Sequence, residues 1–269
     1  MSVITISRGS FSGGKLLAEC LAQKLGYRCI DRDVIVERAA VSGISQEKLR
    51  EALEKPPGFL DRFKHNKYLY LTLIQAALTE EVRTGRAIYH GLAGHLLLSG
   101  GPQILRTRII APLEFRVRMA QERLKISREE AAAQIEALDQ DRRRWTQFLY
   151  GVDWGSPELY DLVINLEQMA IETACDIVCT AIRRRCFEFT PECQQRMDDL
   201  ALASRVRAAL ALNPSTSHLE LEVTARKGAV AIKGKLTGER EAEELERIAV
   251  SVSGVKSINL DELAPAPRA

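Results

Sequence analysis

Apolar and polar positions change rhythm twice along this chain. Over the first 187 residues, short apolar runs alternate with longer amphipathic ones, which predicts strands alternating with helices. Val3–Ser7 predicts a first strand and Lys15–Leu25 a helix, with Leu16, Leu17, Cys20, Leu21 and Leu25 as its apolar positions. Gly26 caps that helix, and Arg28–Asp31 predicts a second strand. Val34–Val41 and Ser45–Glu54 read as helices, and Lys55-Pro56-Pro57-Gly58 breaks the pattern. A long helix from about Leu69 to Thr84 follows, ended by Gly85. Ala87–His90 and Gln103–Ala111 predict the third and fourth strands, with charged helices at Leu113–Leu124 and Ser127–Arg144. Tyr160–Asn165 predicts a last strand and Met169–Cys186 a closing helix. Strands joined by helices imply an α/β fold of three layers, a parallel sheet with helices on both faces.

Phe189-Thr190-Pro191 interrupts this rhythm, and a smaller unit begins near Asp198. Its pattern is helix (Leu200–Leu212), strand (Leu219–Ala225), a Lys227-Gly228 turn, strand (Val230–Lys235), helix (Glu239–Ser251) and strand (Ser257–Leu260). Leu219, Leu221 and Val223 alternate against Val230 and Ile232 across the turn, as in a half-buried hairpin. The expected organisation is a domain over 1–187, a linker over 188–197, an αββαβ domain over 198–263 and a solvated tail over 264–269.

Composition narrows the reading. The 269 residues are 46% apolar and 28% charged, as in an ordinary globular protein. A net charge of +2 gives no global field toward nucleic acid or anionic lipid, and no nucleic-acid partner is expected. No apolar run approaches the roughly 20 residues of a membrane-spanning helix, and the start of the chain lacks a signal-peptide pattern. The 6 cysteines contain no CxxC pair, so a reduced, cytoplasmic protein is expected. Cys175, Cys179 and Cys186 share a helical face by spacing and read as core residues, and His90 and His95 as loop or core residues. No protein metal site is expected.

Chemistry concentrates after the first strand. Gly9-Ser10-Phe11-Ser12-Gly13-Gly14-Lys15 has the spacing G-x-x-x-x-G-K, between an apolar run and an amphipathic one. Such a loop turns successive N–H groups and a helix N-terminus toward one phosphate, and a lysine adds a point charge. Leu16 and Leu17 stand where a magnesium-binding hydroxyl would follow. Asp31 reads either as a site carboxylate or as the cap of the next helix, and Arg142–Arg144 either as phosphate ligands or as a solvated face. Arg116 and Arg118, two apart on a helix, do not share a face.

The stretches ITISRGSFSGG, ALDQDRRR and GVDWGSPELYDLVIN, in this order, make residues 1–187 resemble the cytidylate kinase-like family of P-loop nucleoside monophosphate kinases. The resemblance implies phosphoryl transfer from ATP to a nucleoside monophosphate, CMP or dCMP, with Mg²⁺ as cofactor. It implies catalytic roles for Lys15, Asp31 and Arg142, and ATP binding by Gly9, Ser10, Ser12, Gly13, Gly14, Lys15, Arg116 and Arg143. Arg118, Arg123, Asp139 and Arg144 fall in the matching lid segments, and Trp154 and Tyr160 read as packing residues. Leu16, Leu92 and Leu138 depart from the family pattern, the last two at arginine positions. They point to an alternative, a catalytically weakened nucleotide-binding sensor. ASRVRAAL, LELEVTARKGAVAIKGKL and SGVKSINL resemble a BON domain. That likeness implies a regulatory or oligomerising module, or one that takes a phospholipid, ligand or protein partner.

Overall fold

A computed structural model describes residues 2–54, 64–91, 93–101, 104–236 and 238–265. The Lys55–Gly58 break and Leu92 lie outside the described residues. Five strands form one fully parallel sheet: β1 (Val3–Arg8), β2 (Arg28–Asp31), β3 (Ala87–His90), β4 (Leu105–Ile110) and β5 (Leu162–Asn165). Their spatial order is β2-β3-β1-β4-β5, with Ile6 opposite both His90 and Thr107.

Alternation along β1 explains the layers. Ile4 and Ile6 point to a core shared with α1 (Gly14–Leu25) and α8 (Ile171–Ile182), while Val3 points to the other face. That other face is covered by α2 (Arg32–Ala40), α3 (Gln46–Glu54), α4 (Lys64–Val82) and α5 (Gly94–Leu97). Leu17 and Leu21 of α1 are fully buried, and each contributes about 1.5–3 kcal/mol by leaving water. Gly26, in the left-handed region, ends α1 and returns the chain to β2. Cys175 and Cys179 lie in the α1/α8 core, but α8 stops at Ile182. Cys186 therefore leaves the predicted helical face and is exposed in a short 3-10 turn.

Two helices project from the sheet as an arm, α6 (Leu113–Leu124) and α7 (Arg128–Tyr150). A capping box between Ser127 and Glu130 starts α7. The helix runs six residues beyond the expected Arg144 because Trp145, fully buried, locks it to α3 through an Nε1–H donated to the Ala52 carbonyl at 2.9 Å. Arg142 consequently lies inside a helix rather than at its end.

The largest difference from expectation lies at the domain junction. Residues 188–197, expected as a linker, are helical from Pro191 onward in α9 (Pro191–Leu212), a helix of 22 residues. Thr190 caps it by accepting the Cys193 N–H, and proline suits its first position. Met197, early in α9, packs into the first domain's core, whereas Leu202, Val206 and Leu210 pack into the second's. Across the junction, Arg83, in the turn after α4, pairs with Asp198 at 3.0 Å, and the Tyr68 hydroxyl donates to the Leu221 carbonyl at 3.0 Å.

The second domain comprises β6 (Leu221–Arg226), β7 (Ala229–Leu236), α10 (Glu239–Ser251), β8 (Ser257–Asn259) and β9 (Leu263–Pro265). β6 and β7 are antiparallel, and the long β7 carries both β8 and β9 on its other edge. The solvated tail expected from residue 264 is thus corrected, since Ala264 pairs with Lys235. The αββαβ pattern gains a sixth element. Its signal was masked in sequence by the Pro and Ala content of the segment, which disfavours strands.

Candidate functional site

The carboxyl ends of β1, β2 and β3 open on one side of the sheet, where ligand crevices of such sheets form. A cavity of about 340 Å³ lies there, bounded by Arg8, Lys15, Asp31, Arg32, His90 and Arg142, with Asp33, Arg123, Leu138 and Trp154 completing its charged and apolar walls. Five cations and two carboxylates thus converge from β1, α1, β2, α2, α6 and α7.

The glycine loop borders this cavity and is held from below. Ser12 Oγ–H donates to the Gly9 carbonyl at 3.0 Å, closing the loop on itself. Phe11, at φ 60, turns its ring onto Val117, Ala120, Ala131 and Ile135 of the arm. A left-handed non-glycine residue costs about 1–2 kcal/mol, and burial of the ring offsets it. Gly13, at φ 86, precedes α1, and a Cβ there would lie 2.9 Å from Leu166 Cδ1. A Cβ on Gly14 would lie 2.5 Å from Arg8 Cδ, so only glycine lets Arg8 cross the start of the helix. The N–H groups of the first turn of α1 have no intrahelical acceptors and carry the positive end of the helix dipole. Ser10 Oγ is buried without a partner among the described residues, an unsatisfied donor at the loop itself.

The arginines divide into cavity-facing and bracing groups. Arg142 Nη1 donates to the Arg8 carbonyl at 3.1 Å and faces Asp139 at 3.5 Å, and burial lowers its pKa to about 10. Burial, with the nearby Arg123 and Arg32 charges, also lowers the Arg8 pKa. Such crowding of like charges is unfavourable until an anion arrives. Arg116 lies away from the cavity lining. Its Nε donates to the Ser10 carbonyl at 2.8 Å and its Nη2 pairs with Asp139 at 2.7 Å, so it ties the glycine loop to α7. Arg118, on the opposite face, is exposed, and so are Arg143 and Arg144; none of the three lines the cavity.

Lys15 lines the cavity and lies 3.7 Å from Glu19, a weak exposed pair that a phosphate can displace. Asp31 caps α2 by accepting the Val34 N–H at 3.0 Å and also borders the cavity. Leu16 is 48% exposed and offers no oxygen. Leu138 faces the cavity.

A buried platform supports the far wall. Trp154 Nε1–H donates to Ser7 Oγ at 2.9 Å, and the Arg108 guanidinium lies 3.9 Å from the Trp154 ring centroid and donates to its carbonyl at 2.7 Å. Tyr160 Oη–H lies within reach of the same carbonyl at 3.0 Å, and its ring meets His95. Tyr160 packs, as expected, whereas Trp154 both packs and faces the cavity. Arg8, Arg32 and His90 were missed as site residues in the sequence. The available signal was positional, since each ends or directly follows a predicted strand that the loop order places at one sheet edge. Burial, reinforced by Arg8, lowers the His90 pKa to about 4 and keeps the ring neutral.

The comparisons agree with this geometry. Residues 3–168 match the family model for the cytidylate kinase-like family, and residues 198–264 match the BON domain. A protein named cytidylate kinase from Ignicoccus hospitalis is 29% identical over 181 residues, covering 66% of this chain and 97% of its own. One of the same name from Methanosarcina acetivorans is 32% identical over 183 residues, covering 66% and 95%. The structure of an uncharacterized protein from Eubacterium ventriosum matches with a TM-score of 0.55 at 18% identity, covering 69% of this chain and 100% of its own, and shows the shared fold. Among the described residues, no helix is long and apolar enough to cross a membrane. The chain belongs to the cytidylate kinase-like family and carries a BON domain behind its kinase domain.

Proposed function

We propose that this protein transfers the γ-phosphoryl group of ATP to a nucleoside monophosphate, CMP or dCMP. The observation that carries the reading is the meeting of Arg8, Lys15, Arg32, Arg123 and Arg142 beside Asp31 in one cavity at the glycine loop. Phosphoryl transfer needs positioning and charge neutralisation more than reactive side chains, and this is the residue set such a task requires. The cytosine acceptor follows from the names of the relatives.

In this reading the loop from Gly9 to Gly14, with Ser10 and Ser12, cradles the ATP phosphates, and Lys15 neutralises them. Arg142 clamps the transferring group while Arg116 holds the loop in place, and Arg143 reaches the phosphates only if the arm moves. An α-phosphate oxygen of the acceptor attacks the γ-phosphorus in line, forming one P–O bond as the bond to the β-phosphate oxygen breaks. ADP leaves, and no bond to the enzyme forms. Mg²⁺ fits as an ion carried by the nucleotide. Asp31 and Asp33 are the carboxylates at the cavity, and among the described residues no group of three metal-ligating side chains exists. Bound there, the ion would neutralise developing phosphate charge. The BON domain serves as a regulatory or ligand-binding module.

A second reading, a nucleotide-binding sensor with weakened turnover, is favoured by Leu16 and Leu138, which place hydrocarbon where a metal ligand and a phosphate clamp would help. Calorimetric titration with ATP, with and without Mg²⁺, followed by a transfer assay on CMP, dCMP, UMP and AMP, decides between them. Binding with turnover on a cytidine acceptor supports the kinase. Binding alone supports the sensor, and no binding rejects both.

A further inference from the structure

Two cations stand at the start of α1, and they are placed very differently. Lys15 is the second residue of the helix and shares a face with Glu19, both side chains being 51% exposed. The buried face of the same helix is that of Gly14, Leu17, Ala18 and Leu21. Adjacent helical residues point about 100° apart, so Lys15 reaches the cavity rim from outside that face. Gly14 brings no side chain to the buried face, yet the space beside it is filled. A Cβ on Gly14 would lie 2.5 Å from Arg8 Cδ, 2.9 Å from Arg8 Cβ and 3.2 Å from Arg8 Cγ. The stem of Arg8, the last residue of β1, therefore takes the place that a side chain on the first residue of α1 would occupy.

Arg8 is fixed there while its charge stays unmatched. Its carbonyl accepts from Arg142 Nη1 at 3.1 Å, and the next residue, Gly9, donates its N–H to the Ile109 carbonyl at 3.4 Å. The side chain is half-buried and lines the cavity, but it forms no hydrogen bond or ion pair with a described residue, and Nε is buried without a partner. The two carboxylates of the cavity are engaged elsewhere. Asp31 accepts the Val34 N–H at 3.0 Å, and Asp33 pairs with Arg50 at 3.1 Å. Arg32, Arg123 and Arg142 surround Arg8 with further positive charge, and the free N–H groups of the first turn of α1 carry the same sign. An anion at the helix N-terminus would relieve all of these at once.

Given the kinase reading, on which this rests, we infer that Arg8 rather than Lys15 is the main side-chain ligand of the ATP phosphates at the glycine loop. The cation of the cradle has moved from the helix to the end of the strand, and Gly14 is the residue that admits it. A guanidinium there takes two phosphate oxygens with paired hydrogen bonds, whereas Lys15 adds a point charge from the rim.

Calorimetric titration of the full chain with ATP tests the assignment. Arg8→Gln is expected to raise the ATP dissociation constant at least tenfold, and Lys15→Gln to raise it only about threefold or less. A larger loss in Lys15→Gln than in Arg8→Gln, or wild-type affinity in Arg8→Gln, overturns the assignment and leaves the kinase reading standing. Absence of ATP binding to the wild type rejects both. Should Arg8→Gln fail to fold, phenylglyoxal modification of wild-type arginines, mapped by mass spectrometry, gives the answer. Protection of Arg8 by ATP and not by adenosine supports the assignment, and modification of Arg8 at one rate with and without saturating ATP overturns it.

Discussion

The two sheets of this chain bring charge to their edges in different ways. In the five-stranded sheet every strand is parallel, so Ser7 and Arg8, Asp31 and His90 all arrive at one side. In the four-stranded sheet β6 and β7 are antiparallel, and their ends meet in the tight Lys227-Gly228 turn. Its inner face rests on α9 and α10 and is filled by Val230, Ile232, Leu245 and Ile248. The first sheet gathers unlike residues at a point, and the second spreads them along its surface. A parallel sheet requires helices at both faces, and that burial is what makes convergent charges costly and therefore responsive to ligand.

The strongest way to break this contrast is to free the arm from the first sheet. Trp145→Ala removes a fully buried ring and its bond to Ala52, and is expected to cost about 3–5 kcal/mol. Denaturant titration should show that loss in the kinase domain. An effect below about 1 kcal/mol would mean that α7 is held elsewhere. Next in size, if Arg142 clamps the transferring group as proposed, Arg142→Gln should lower the rate of phosphoryl transfer at least a hundredfold while weakening ATP binding far less. Equal losses in both would place Arg142 in binding alone.

Acidification sharpens the comparison from another side. His90 and His95 are buried, and burial lowers both pKa values to about 4, with Arg8 adding to the first and Arg106 and Arg108 to the second. The unfolded chain takes up these protons near pH 6.5 and the folded one only near 4, so stability rises with pH across that window. Between pH 7 and pH 5.5 the kinase domain should lose about 2 kcal/mol from the two together. Thermal melts of the wild type and of His90→Gln with His95→Gln, at both pH values, test this. A double variant as acid-sensitive as the wild type would remove the histidines as the cause.

Much of the first domain was legible because its signals are local. The glycine loop is contiguous, Gly26 marks the end of α1, and Asp31 sits at a strand end where either role could be named. What escaped was assembly from distant segments. Arg8 enters the site only because Gly14 leaves room for it, and Arg116 turns away because Asp139, on another helix, claims it. Neither relation has a signature in one segment. The junction failed for a related reason: Thr190-Pro191 signals a helix start as well as a break, and only the packing of Met197 on the kinase core selects the start. β9 was lost because Pro265 argues against a strand, although an edge beside β7 tolerates it.

The smallest expected effect tests whether the domains truly differ in autonomy. Asp198 on α9 is the partner of Arg83, in the turn after α4, with both side chains more than a third exposed. Solvent screens such a pair, so Asp198→Ala should cost no more than about 1 kcal/mol in global stability. Its informative consequence is cooperativity. Asp198 also accepts the Gln194 side-chain N–H, so its loss loosens the segment of α9 that passes from one core to the other. If α9 welds the domains, calorimetric unfolding stays a single transition in the variant, shifted by a few degrees at most. A split into two transitions would show that the Arg83–Asp198 contact, rather than the continuous helix, transmits stability between a sheet that gathers charge and one that does not.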